Sequence, residues 1–313
     1  MSEIISNEIL KEVENYSILK NNQLLIGVID CFKSNRLTFK KALNIQKCGS
    51  YLAFDVFKNK KTLEISKILT SADFCKNRWC LMCASRRSSK ILAENISIVK
   101  QLQEQSKIRF LLLTLTLSGV KPLNTIKTHI VKLNNSFHKL IKRKEFSNIL
   151  GYFKSLEFMG DKTQDGYCHP HLHILLCVTP RYFKDNYIKQ EKWLEMWREV
   201  TGDFNITQVD IKAVKPKNKK VNLNDMDIND ILGSFCEVAK YAISPDKLAR
   251  VAQSKNLIDL DFFTKNARTF SRGGVFKKIK PKLEELNADD WDKIGSFFLR
   301  WSGFYYDCEI KNF

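Results

Sequence analysis

Hydrophobic positions along the chain switch between two periods. "IRFLLLTLTLSG", Ile108 to Gly119, alternates Leu113, Leu115 and Leu117 with Thr114 and Thr116. That is strand spacing, closed by a glycine turn. Next, "NTIKTHIVKLNNSFHKLIKR" sets Ile126, Ile130, Leu133, Phe137, Leu140 and Ile141 at helical spacing. "GYFKSLEFM" and "YCHPHLHILLCV" then flank the loop "GDKTQDG", which predicts a β-hairpin. "YFKDNYIKQEKWLEMWREVTG" predicts a helix closed by Gly202, and "FNITQVDIKAV" a strand. In "INDILGSFCEVAKYAI" the stripe Ile231, Leu232, Phe235, Val238, Ala239 and Ala242 predicts another helix, stopped by Pro245. The order implies an α+β fold: a central antiparallel sheet with helices on one face. The flanks are less legible. Residues 1–45 read as a partly disordered or a peripheral segment. Residues 251–313 read as a C-terminal extension with a basic stretch, a helix near "ADDWDKIGSFFLRW" and a short extended tail.

Composition narrows the function. At 313 residues and 44% hydrophobic content, the chain can build two or three modules. The expected division is 1–45, a cysteine-bearing module at 46–100, a central domain at 101–250 and the extension. No apolar run approaches the roughly 20 residues of a membrane helix, and the N-terminus lacks a signal peptide's apolar centre. A cytoplasmic protein without a membrane partner is expected. Lys and Arg number 52 against 34 Asp and Glu, a net charge of +18. That surplus favours a polyanionic partner, nucleic acid first, over a merely basic surface. The densest run, "IKAVKPKNKK", carries Lys217, Lys219 and Lys220 and reads as a loop able to touch phosphates.

The chain has five histidines, and three fall at alternate positions of "YCHPHLHILL": His169, His171 and His173. On a strand these share one face, while Leu172, Ile174 and Leu176 point to the other. His171 and His173 form a rigid two-imidazole platform for a metal ion. If the hairpin turn is centred near Gln164, Glu157 lies across from His171 as a third ligand. Such a set leaves coordination positions open, which suits chemistry rather than mere support. A row of solvent-facing histidines without metal is the competing reading.

Two further groups carry chemistry. Glu237 and Tyr241 are spaced i, i+4 on the last helix of the pattern, with Lys240 beside them. A tyrosine oxygen can attack a phosphate, and a carboxylate one turn away can accept a proton or position a water. A half-buried helix-edge tyrosine is the bland alternative. "CKNRWCLMC" spaces Cys75, Cys80 and Cys83 as thiolate ligands of a zinc knuckle, with Cys48 as the best fourth. Four thiolates close the coordination, so this zinc would be structural. Arg78, Arg86 and Arg87 crowd the cysteines as candidate DNA contacts. Cys31, Cys168, Cys177, Cys236 and Cys308 read as small core residues.

Taken in order, "LTLTLSG", "HPHLHILL" and "CEVAKYAISPDK" resemble the three motifs of rolling-circle replication initiators of small bacterial plasmids, in the class of nucleases named for a His–hydrophobic–His metal motif. Upstream "KCGSYLAF" and "FCKNRWCLMCASRR", and downstream "RTFSRGGVFKKI", match further segments of that group. Arg272 lies in the last and is a candidate DNA contact. The resemblance implies metal ligation by His171, His173 and Glu157, with Mn²⁺ or Mg²⁺ as the ion. It implies Tyr241 as nucleophile, Lys240 beside it, and Glu237 as the glutamate that promotes hydrolysis when replication terminates. The family's lysine shortly after the tyrosine is delayed here to Lys247. Nicking would leave a 5′-phosphotyrosine and a free 3′-hydroxyl primer on single-stranded or hairpin origin DNA. No ATP-binding loop is present, so a host helicase and DNA polymerase are implied as partners. A relaxase or transposase with the same chemistry, or a non-catalytic zinc-ribbon binder, are the alternatives.

Overall fold

The computed structural model describes residues 3–160, 163–184, 187–216, 228–239, 243–282, 286–287 and 289–311. The elements run α1 (Glu3–Leu25), α2 (Val28–Lys33), α3 (Phe39–Lys47), β1 (Tyr51–Asn59), β2 (Ile65–Ala72) and α4 (Leu81–Gln105). There follow β3 (Arg109–Thr116), β4 (Lys121–Pro122), α5 (Ile126–Leu140), β5 (Ile149–Glu157), β6 (Tyr167–Cys168) and β7 (His171–Val178). Then come α6 (Gln190–Thr201), β8 (Asp210–Ala213), α7 (Ile228–Val238), α8 (Pro245–Gln253), α9 (Asn256–Phe263), β9 (Phe270–Gly274), α10 (Val275–Lys278), β10 (Trp291–Trp301) and β11 (Tyr306–Lys311). Among the described residues no helix is long and apolar enough to cross a membrane.

Two compact units result: residues 1–87 with 284–313, and residues 88–283. In the first, an antiparallel sheet of order β11-β10-β1-β2 carries a core of Leu52, Phe54, Val56, Phe297 and Leu299. Ile5 and Ile9 of α1 join that core, and Val13 and Tyr16 pack on it. Of the two readings of 1–45, partial disorder does not hold over Glu3–Leu25, Val28–Lys33 and Phe39–Lys47, which are helical. "ADDWDKIGSFFLRW" is also different from its expectation. Its residues from Trp291 onward form strand β10, with Gly295, Phe297 and Leu299 buried at alternate positions.

The second unit holds a five-stranded antiparallel sheet of order β8-β3-β7-β5-β9. The α+β class matches the sequence reading, but helices cover both faces instead of one. On one face Phe110, Phe153, Leu175 and Cys177 pack with Ile98, Val99 and Leu102 of α4 and Ile231, Phe235 and Val238 of α7. On the other, Phe137 of α5 meets Tyr152 edge-on at 4.9 Å. The reason lies in β7: the unbroken run Ile174–Val178 is buried throughout, so both faces need a cover. Cys31, Cys168 and Cys177 are buried as expected, whereas Cys236 and Cys308 are exposed.

Candidate active site

"YCHPHLHILL" is not one strand. Tyr167–Cys168 pairs with Lys121–Pro122, and the histidine strand proper starts at His171. Pro170 has no N–H to give a ladder and marks the break. Within β7, His171 faces Thr116 on one side and Glu157 on the other. His173 faces Thr114 and Ser155. The two rings are 6.2 Å apart and nearly parallel. Glu157 thus has the register expected of it.

Hydrogen bonding assigns each imidazole a different task. His169 Nε2 lies 3.1 Å from the Leu117 carbonyl, so that nitrogen must donate and is spent on backbone. It also lies 3.0 Å from Thr116 Oγ1. His173 Nε2 lies 3.0 Å from Glu157 Oε2 and donates to it, while its Nδ1 sits 3.3 Å from Thr114 Oγ1. His171 Nδ1 is buried without a hydrogen-bond partner. Burial, with His169 adding to it, pushes the His171 imidazole down to about 4, which keeps the ring neutral as a ligand must be. Glu157 is also engaged from α8. The buried Lys247 donates to Glu157 Oε1 at 2.7 Å and to the Met159 carbonyl at 2.9 Å. Burial pushes the Glu157 carboxyl up, but the bonds from His173 and Lys247 outweigh it and hold it below its ordinary range. A neutral imidazole with an unpartnered nitrogen and an ionised carboxylate on one sheet face are the donor types a borderline divalent cation takes, although His171, His173 and Glu157 do not converge here as the four cysteines do.

The four cysteines named from the sequence converge. Sγ of Cys48, Cys75, Cys80 and Cys83 all lie within 4.8 Å of one another, and among the described residues they are the one such group of three or more metal-ligating side chains. Cys48 and Cys83 are 3.5 Å apart, Cys75 and Cys83 3.7 Å. A tetrahedral ion with bonds near 2.3 Å needs about 3.8 Å between sulfurs. Backbone N–H groups of Cys75 and Lys76 donate to Cys48 and Cys83 sulfurs at 3.3 and 3.2 Å. Lys76 reaches this position with φ at 59°. The hydrogen bonds the four sulfurs share push the Cys83 and Cys75 thiols down and those of Cys48 and Cys80 up. Below them Lys20, fully buried, donates to the carbonyls of Gln46 and Cys48. Of the nearby arginines, Arg86 lies over Phe74 at 4.8 Å, Arg78 over Trp79 at 5.9 Å, and Arg87 donates to the Lys76 carbonyl at 3.3 Å.

A family profile described as replication protein matches residues 66–297. The chain belongs to the replication-protein family. A Protein rep of Streptococcus pneumoniae is 33% identical over 279 residues, 87% of this chain and 81% of its own. One from Staphylococcus aureus is 38% identical over 179 residues, 56% of this chain and 76% of its own. One from Bacillus sp. is 33% identical over 266 residues, 82% and 84%. No solved structure matches. This replication protein is a plasmid rolling-circle initiator by family, with a role in plasmid replication.

The remaining expected residues divide between those outside the described residues and those the structure describes. Tyr241 and Lys240, and the loop lysines Lys217, Lys219 and Lys220, lie outside the described residues. Glu237 is half-buried near the end of α7, the helix that covers the imidazole-bearing face of the sheet. Arg272 donates to Glu94 at 2.6 Å and to Asn95 Oδ1 at 2.9 Å, both on α4. Its two following glycines have a backbone reason. A Cβ on Gly273 would sit 2.2 Å from the Tyr152 ring, and one on Gly274 2.2 Å from the Leu150 carbonyl, with φ at +59°. Sequence reasoning missed Gly160. A Cβ on Gly160 would lie 2.7 Å from His171 Cε1, so the glycine seats that ring. Thr114 and Thr116 stand beside His173 and His171, where the alternation in "FLLLTLTLSG" leads one to expect a polar face next to the histidines.

Proposed function

We propose that this replication protein nicks one strand of its origin DNA by tyrosine attack. The Tyr241 oxygen bonds to the scissile phosphorus and gives a 5′-phosphotyrosine. The bond to the 3′ oxygen breaks, and that oxygen takes up a proton in place of the one the phenol lost. The 3′-hydroxyl then primes a host DNA polymerase, with a host helicase opening the duplex. A divalent ion, Mn²⁺ or Mg²⁺, held by His171, His173 and Glu157 would supply Lewis-acid neutralisation of the phosphate. Lys247 keeps Glu157 ionised and aimed. Lys240 adds positive charge beside the nucleophile, and Glu237 takes a proton from water in the terminating hydrolysis. Cys48, Cys75, Cys80 and Cys83 would hold a zinc ion that orders the 46–100 segment, and that segment would present Arg78, Arg86 and Arg87 to DNA. Lys217, Lys219 and Lys220 add contacts from the nuclease unit, whereas Arg272 is engaged by Glu94 and Asn95 of α4.

What supports this reading is a single arrangement. His171, His173 and Glu157 share one sheet face, and the helix that covers this face has its apolar stripe running to Ala239, two positions before Tyr241. In a nicking assay with labelled single-stranded origin DNA and Mn²⁺, Tyr241→Phe is expected to abolish cleavage and retain binding. Equal cleavage by wild type and variant would remove the nucleophile. Binding without cleavage by either would leave the zinc-bearing binder.

A further inference from the structure

The imidazole-bearing face of the sheet continues beyond the proposed nicking site. Cross-strand pairing sets Thr114, His173, Ser155 and Phe270 in one row over β3, β7, β5 and β9. Directly paired residues share a face, so Phe270 stands two strands from His173, roughly 10 Å away. There a cavity of about 580 Å³ opens between α4 and the β9–α10 segment, within the range of small-ligand sites. Its apolar part includes Phe270, half-buried, whose ring stacks on Phe153 at 6.2 Å and 8°. Its polar part includes Arg268, Lys277 and Lys280, all exposed and without an ion pair to any described residue. Arg272 lines it too, but its charge is answered by Glu94. The segment is pinned to α4 from below: Gln101 Nε2 donates to the Lys280 carbonyl at 3.1 Å, and the Ser97 hydroxyl to that of Lys282 at 2.7 Å.

An aromatic platform rimmed by uncompensated cations is the chemistry that holds an unpaired nucleotide: the base stacks, the phosphates meet the cations. We infer that this cavity takes one base of the single strand next to the scissile phosphate, with Phe270 as the stacking platform and Arg268, Lys277 and Lys280 on the flanking phosphates. Arg272 is then a strut that fixes β9 to α4 and not itself a phosphate contact. The inference rests on the nicking reading for the identity of the strand.

The test compares a 15-residue oligothymidylate with an abasic chain of equal length and equal phosphate number, by fluorescence anisotropy without divalent ion. Wild type is expected to prefer the base-bearing strand by about tenfold at this site. Phe270→Leu, which keeps apolar bulk, is expected to lose most of that preference, and Phe270→Trp to keep it. Lys277→Gln with Lys280→Gln, both exposed and safe for folding, is expected to weaken both probes alike and flatten the salt dependence. An unchanged base preference in Phe270→Leu overturns the platform, and an unchanged salt slope in the double lysine variant overturns the phosphate contacts. The tyrosine adduct is scored separately. Adduct without base preference loses only the cavity; base preference without adduct loses only the nicking reading.

Discussion

The ammonium of Lys247 lies 2.7 Å from Glu157 Oε1, and the other oxygen of the same carboxylate lies 3.0 Å from His173 Nε2. One carboxylate is thus held between a cation from α8 and an imidazole from β7. Lys247 is 7% exposed, so the pair sits where breaking it leaves a charge without its partner. Lys247→Met and Glu157→Gln are each expected to destabilise the protein by about 3 kcal/mol. The double variant should cost clearly less than the sum, with a coupling of about 1–3 kcal/mol. Denaturant unfolding of all four proteins checks this. Simple additivity would mean the two side chains do not act on each other.

The cysteine cluster predicts one zinc per chain. Elemental analysis of protein purified without added metal should find it, and Cys80→Ser should lose it and lower the melting temperature. Exhaustive chelation should reproduce that loss in wild type. Full occupancy in Cys80→Ser would contradict the four-thiolate assignment.

The two glycines after Arg272 should differ in cost. Gly273→Ala meets a side chain, Tyr152, that can shift; Gly274→Ala meets the Leu150 backbone at a left-handed φ. Gly274→Ala is expected to cost about 2 kcal/mol or more, and Gly273→Ala less. Melting curves of the two variants rank them, and the reverse order would contradict the close approach of β9 to β5.

On the face opposite the histidines, Lys154 is buried, donates to Asn134 Oδ1 at 2.6 Å and lies over the Phe137 ring at 4.8 Å. Burial pushes its ammonium down to about 8 from an ordinary 10.5. The folded state therefore holds fewer protons here than the unfolded state between those values. Stability from this residue rises with pH across that window and is lowest below about 8. Against Lys154→Met, wild type should gain up to about 3 kcal/mol between pH 7 and pH 10.5. A pH-independent difference would show that the ammonium stays charged in the fold.

The sequence carried more of this architecture than was read from it. The strand and helix periods of 108–202 survive almost intact, because each element has one clear apolar face. Glu157 opposite His171 followed from counting back across a Gly- and Asp-containing loop. The extended tail is present as β11, but the helix reading at each flank went wrong for opposite reasons. Ile5, Ile9, Val13 and Tyr16 repeat at helical spacing, but their stripe is narrow and sits among charges, so it looked peripheral. In β10, Gly295, Phe297 and Leu299 alternate, but their partner strand β1 lies over two hundred residues away, and no local pattern announces such a pairing. The split at Pro170 was legible from the missing N–H. Lys247 on Glu157 was not, because burial of a lysine against a carboxylate from a distant strand leaves no mark in spacing. Arg272 looked like a free basic residue; only the fold brings Glu94 to it.

Tyrosine chemistry in reach of the imidazole pair is the centre of the account, and mapping the covalent product measures it most directly. The protein is incubated with labelled single-stranded origin DNA and Mn²⁺, digested, and the DNA-linked peptide sequenced by mass spectrometry. The account predicts a single adduct, a 5′-phosphate on Tyr241, lost in His171→Ala and His173→Ala. Cleaved DNA with the phosphate on any other residue, or cleavage with no protein link at all, would contradict it.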